Sequence, residues 1–116
     1  MNRDRVLSDA KSRVLELAPD YTPPVPRTIR ALGSEGLGNL RYGIWGMRQS
    51  GYITDHELAI GNKIAHVLCG GDGPPRPVTE QDILDLEREA FLSLLGTSET
   101  RARIAYMLKN GKPLRN

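Results

Sequence analysis

From Thr79 to Asn116 apolar residues recur at intervals of three and four between stop signals, a spacing that commits a third of the chain to helix. Thr79 is placed to cap the first of two helices, with Asp82 at the capping-box position and Val78 and Ile83 spaced as a hydrophobic staple. Ile83, Leu84, Leu86, Ala90, Phe91, Leu94 and Leu95 form its stripe, and Gly96 is expected to end it in a left-handed conformation. Thr97 or Ser98 opens the second helix. Its buried side is predicted to carry Ala102, Ile104, Ala105, Met107 and Leu108, and Gly111 followed by Pro113 stops it.

The rest of the chain repeats this grammar with more interruptions. Val6, Leu7, Ala10, Val14, Leu15 and Ala18 predict a helix over Asp4–Ala18, ended by Pro19. Tyr21 to Pro26 reads as an extended, polyproline-like connector that is stiff rather than flexible. Thr28–Leu32 is expected to form one helical turn, broken by the glycines that follow. Leu37, Leu40, Ile44 and Met47 predict a helix to about Ser50. Gly38, Gly43 and Gly46 weaken it by about 1 kcal/mol each relative to Ala, which suggests a closely packed helix crossing near Trp45 or a ligand against the backbone. Thr54 to Glu57 is a full capping box for a helix running to about Cys69, and Gly70 to Pro77 reads as a linker. The predicted fold is all-α, with four longer helices, one short turn and Pro/Gly-rich loops, as a single helical domain with linkers near residues 19–27 and 70–78. Short connections favour antiparallel neighbours.

Chemistry-bearing patterns are sparse. Gly36-Leu-Gly38 lacks the third glycine of a dinucleotide loop and no strand is expected before it, while Gly111-Lys112 lacks the rest of a phosphate loop. His56, in a helix first turn, is expected to be solvated, and His66 lies too far along to share a metal with it, so no metal site is expected. The lone Cys69 is expected to be small buried packing and suits a reducing compartment. A net charge of +2 is too small to argue for nucleic acid. No apolar run nears the roughly 20 residues of a membrane span, and no basic-then-apolar leader opens the chain, so the expectation is a cytoplasmic protein. Glu80, Asp82, Asp85, Glu87 and Glu89 lie along one amphipathic helix beside solvent and do not make an acid–base pair.

Two stretches carry a resemblance. Glu-Arg-Glu-Ala-Phe-Leu-Ser-Leu-Leu-Gly-Thr, followed by a helix ending Met-Leu-Lys-Asn-Gly-Lys-Pro, resembles the C-terminal helices of crotonase-fold enoyl-CoA hydratases. The ending Gly-Lys-Pro-Leu-Arg-Asn is similar to the C-terminus of bacterial 3-hydroxyacyl-CoA dehydrogenase/enoyl-CoA hydratase fusion enzymes of fatty-acid β-oxidation. The resemblance covers Thr79–Asn116 well and Tyr52–Gly73 less well. It implies the C-terminal piece of a longer enzyme that uses NAD and acyl-CoA, whose catalytic glutamates and oxyanion hole belong to a core this chain lacks. No catalytic residue is therefore expected here, and no cofactor is expected to be held by this segment. The resemblance implies a helical cover over an acyl-CoA site and an assembly surface for the rest of the enzyme or a second subunit. Lys109 and Lys112 match the tail that meets the CoA phosphates, and the plainer reading of Lys109 is a complement to its helix C-terminus. Phe91 and Met107 would be the nearest apolar contacts to an acyl chain, and the plainer reading of each is core. A different class of reading is a free-standing helical protein–protein interaction module.

Overall fold

The computed structural model describes residues 5–116. Five α-helices account for most of them: α1 (Val6–Leu17), α2 (Gly33–Gln49), α3 (Asp55–Leu68), α4 (Glu80–Leu95) and α5 (Ser98–Asn110). The helical class therefore holds, with five α-helices instead of four. The expected start of the first helix at Asp4 lies outside the described residues. Its α-helical part ends at Leu17, and Pro19 sits in a short 3-10 turn, Ala18–Asp20, that closes it. From Tyr21 to Arg27 the chain forms neither helix nor strand.

The expected helical turn at Thr28–Leu32 is instead a strand, β1 (Thr28–Ala31), paired antiparallel with β2 (Arg76–Thr79). The pairing sets Thr28 opposite Thr79, Ile29 opposite Val78 and Ala31 opposite Arg76. Local spacing hides this ribbon, because four residues a side are too few for a period-2 signal and Pro77 argues against a strand. Pro77 is tolerated because a two-stranded sheet consists only of edges. Val78 and Ala31 are buried, so the ribbon is held by its packing more than by its length.

Sequential helices pack as neighbours, α2 on α3, α3 on α4 and α4 on α5. The common core is small: Leu37, Ala65 and Cys69, with Ile44 leaning on them. Cys69 is 2% exposed, as its sequence setting predicts. Gly33 explains how β1 turns into α2. It adopts φ +57°, and a Cβ there would fall on the Gly73 carbonyl and the Pro74 backbone. Its N–H donates to the Cys69 carbonyl at 2.8 Å, and Ser34 N–H donates to Gly73 at 2.8 Å. The helix that was expected to begin near Leu37 therefore begins at Gly33, through glycines that a tertiary contact stabilises.

Two sequence expectations change at other glycines. Gly96 ends α4 in the right-handed region, at φ −64°, so the left-handed cap expected there is absent; the Gly111 cap is left-handed, at φ +64°. At Gly38, Gly43 and Gly46 nothing lies within 4 Å of where a Cβ would stand. The close helix crossing expected near Trp45 is therefore not made by the described residues. Tyr42 and Trp45 stack on each other there, ring centroids 6.0 Å apart, with both rings exposed.

The radius of gyration is 20.8 Å, against about 13 Å for a compact chain of this length. The molecule is accordingly elongated, and α1 has no buried residue.

These contacts separate two kinds of glycine. Gly33→Ala is expected to cost more than about 1 kcal/mol in urea unfolding, because it combines a disfavoured φ with a backbone clash. Gly43→Ala is expected to raise stability by up to about 1 kcal/mol, since the added methyl enters open space. A destabilising Gly43→Ala would mean that a neighbour occupies that face.

Candidate functional site

Two features stand out: a groove between α3 and α4, and a knot that the C-terminal tail ties around Glu57. Both depend on α3, whose start is built by Thr54. The Thr54 hydroxyl accepts from Glu57 N–H at 3.1 Å, and the Glu57 carboxylate accepts from Thr54 N–H at 2.8 Å, which completes the predicted capping box. The same box forms at Thr79 and Asp82, where Asp82 is held below the usual carboxylate range by hydrogen bonds from the Thr79 N–H and hydroxyl.

Glu57 does more than cap. Arg115, 58 residues away, reaches it in a two-pronged pair at 3.1 and 3.0 Å and also donates to the Tyr52 carbonyl at 2.7 Å. Arg103 of α5 approaches the same carboxylate at 3.6 Å and donates to the Asn116 side-chain oxygen at 2.7 Å. Asn116 in turn accepts from the Thr54 hydroxyl at 2.6 Å and donates to the Glu99 carbonyl at 3.2 Å. The tail therefore turns at left-handed Gly111 and runs back along α5 to the start of α3. The Arg115 hydrogen bond, with help from Thr54 N–H, lowers the Glu57 pKa to about 2. His56 adds a further link, its Nε2 lying 2.9 Å from the Thr100 hydroxyl. It is half-buried and bridges α3 to α5, where the sequence suggested a solvated side chain.

No local signal marks this knot. Glu57 is legible only as a cap, and Arg115 and Asn116 only as a tail; their meeting depends on the fold that brings residues 58 positions apart together.

The groove has a volume of about 570 Å³. Its floor and walls are apolar, from Ile64, Val67 and Leu68 on one side and Leu84, Phe91 and Leu94 on the other, with Lys63, Gln81, Glu87 and Arg88 as its polar members. Phe91 is 53% exposed and Met107 44% exposed, so neither is the core residue of the plainer reading; Phe91 lines the groove and Met107 does not. Lys109 and Lys112 stand exposed at the far end of α5, on either side of Gly111 and outside the groove lining. Neither is hydrogen-bonded or ion-paired among the described residues.

A nicotinamide dinucleotide does not fit the glycines here. A strand does precede them, contrary to the sequence expectation, but it is half of an antiparallel ribbon, not a parallel β–α–β unit. The first amides of α2, which a pyrophosphate would need, are already spent on the Cys69 and Gly73 carbonyls. Among the described residues no group of three His, Cys, Asp or Glu side chains is placed to hold a metal ion. The acidic residues of α4 are exposed or engaged locally, Asp85 with Arg88 at 2.9 Å and Asp82 with Thr79. His66 lies 3.4 Å from Asp72, which Arg41 also approaches at 3.5 Å. Among the described residues no helix is long and apolar enough to cross a membrane.

Over an alignment of 118 residues that takes in the whole chain, the sequence is 42% identical to a probable 3-hydroxyacyl-CoA dehydrogenase of Bacillus subtilis (strain 168). The chain spans 15% of the length of that relative. No protein-family model matches the chain. No solved structure matches it.

The knot has a pH signature. Glu57 titrates near 2 when folded and near 4.5 when free, so its contribution is complete above about pH 4.5 and is lost as pH falls towards 2. Arg115→Ala is expected to lower the thermal midpoint at pH 7 and to flatten its fall between pH 4.5 and 2, read by circular dichroism across that range. An unchanged acid slope would show that the pair contributes nothing to folding.

Proposed function

We propose that this chain is a C-terminal helical segment of a cytoplasmic 3-hydroxyacyl-CoA dehydrogenase/enoyl-CoA hydratase acting on acyl-CoA thioesters in fatty-acid β-oxidation. In this reading it serves as a cover and assembly surface and is catalytically inactive by itself. The carrying observation is the 42% identity along the whole chain to a relative almost seven times its length. Uncovered apolar side chains of α2 support a covering role: Leu40 and Met47 on one side of the helix, and Tyr42 and Trp45 on the other, are open to solvent. A monomeric soluble protein rarely leaves large aromatic and aliphatic side chains clustered in the open, so in this reading the remaining body of the enzyme packs against α2.

NAD and the acyl-CoA belong to that remaining body. Lys109 and Lys112 are the groups of this segment offered to the CoA phosphates: two exposed ammonium groups close in sequence, at the end of a helix whose own dipole also favours positive charge. The tail knot fits this role, because it anchors the residues after Gly111 and so fixes where Lys112 stands.

Purified chain is expected to show neither NAD-dependent oxidation of a 3-hydroxyacyl-CoA nor hydration of an enoyl-CoA. Turnover above background that disappears on substitution of one of its glutamates would refute the reading. An antibody against the chain is expected to detect, in source cells, a band several times larger than 12.8 kDa. A band at that mass would favour a free-standing interaction module instead. In the full-length enzyme Lys109→Ala with Lys112→Ala is expected to weaken acyl-CoA binding several-fold, and unchanged affinity would remove these lysines from the site.

A further inference from the structure

The α1 helix is amphipathic, yet it has no groove of its own. At about 100° per residue, Val6, Leu17, Ala10, Val14 and Leu7 fall on one arc, bordered by Arg13 on one edge and Lys11 on the other. No residue of α1 is buried, and Leu7 is 83% exposed. The α3–α4 groove is the complementary case, an apolar trough without an occupant.

We propose that the groove takes α1 of a second copy of this chain, so that two copies exchange their first helices reciprocally. Dimensions support the fit: α1 is about 18 Å long, and the helices forming the groove are about 21 and 24 Å. Charge supports it as well. Glu87 on the groove and Lys11 beside the apolar arc are both without an ion-pair partner among the described residues, whereas Arg88 already holds Asp85. Insertion of the arc brings Lys11 to the polar rim where Glu87 stands.

The connector decides between this chain's own groove and a partner's. It is rooted at Thr28, opposite Thr79 and hence at the start of α4, so its origin lies at one end of the groove. Tyr21 to Arg27 forms neither helix nor strand, and Pro23, Pro24 and Pro26 make it a polyproline-like, stiff connector of about 22 Å. A rod that long carries α1 away from the groove beside its root, and a stiff linker that cannot double back gives a negligible effective concentration for return. A two-fold partner presents the same groove at the outer end of the rod. Reciprocity doubles the area covered, which moves a pair of 12-residue helices towards the roughly 1,600 Å² of a standard stable interface. This surface involves neither acyl-CoA nor the tail lysines, so it stands or falls separately from the enzymatic reading.

The test is the mass of the full chain in solution by light scattering and sedimentation equilibrium from 1 to 100 μM, with small-angle scattering for shape. The expected mass is twice 12.8 kDa. Val14→Glu on the arm, and separately Leu84→Glu with Phe91→Glu in the groove, are expected to return it to a monomer with helicity retained; all of these positions are exposed, so the fold tolerates them. Lys11→Glu is expected to weaken the dimer at least tenfold, and adding Glu87→Lys to restore it. A monomer at every concentration, whether extended or folded back to about 13 Å, would overturn the proposal. A dimer that survives Val14→Glu, or a charge reversal that fails to rescue, would overturn it too.

Discussion

The contact between the start of α2 and the end of α3 holds the rest of the molecule in place. Gly33 lies against the backbone of Gly73 and Pro74 and donates its N–H to Cys69. A step along the chain, a Cβ at Gly36 would meet Leu32 and the Cys69 sulfur, and one at Gly70 would meet Ala31. Small residues on both sides let three backbone segments approach to hydrogen-bonding distance without stranding a polar group. Because this junction positions both the strand before α2 and the loop after α3, the antiparallel ribbon follows from it, and with the ribbon the entry point of α4.

A junction made of glycine, alanine and cysteine buries little apolar area. The remaining stabilisation is distributed over capping boxes at Thr54 and Thr79, helix-on-helix contacts that leave large side chains half-exposed, and the tail knot at Glu57. Capping contributes about 1 kcal/mol at each site, and exposed ion pairs contribute less. Glu57 is the exception among these charges, since one carboxylate closes a cap, receives Arg115 in a two-pronged pair and faces Arg103. Its convergence gives the last residues of the chain a structural role that their position alone does not suggest.

The proposed function rests on what the fold leaves uncovered. Apolar stripes on α1, α2 and α4 are those a helical domain normally buries, and in this chain they face solvent across a molecule 58 Å long and 22 Å thick. The three glycines on the outer side of α2 sharpen the point. They lower helix propensity and obtain no compensating contact within the described residues, which suits a surface that another body approaches closely. Similarity to a short part of a much larger dehydrogenase accords with surfaces of this kind.

The elements whose signals are local were legible in the sequence. Spacing and caps located α3, α4 and α5 closely, the Thr54 and Thr79 boxes formed as written, and Cys69 was read as packing, because each depends on residues within one or two turns of one another. The ribbon was not legible, since β1 and β2 are separated by 44 residues and neither is long enough to announce itself. Nor was the exposure of Phe91 and Met107: an apolar stripe specifies which side of a helix seeks burial, and says nothing about whether the same chain supplies the cover. Gly96 promised a left-handed cap and did not make one, while Gly111, read only as a stop, did. Local chemistry thus determined the helices and their ends, while tertiary structure alone decided the ribbon, the Glu57 knot and the open groove, since each requires groups brought together from parts of the chain that carry no information about one another.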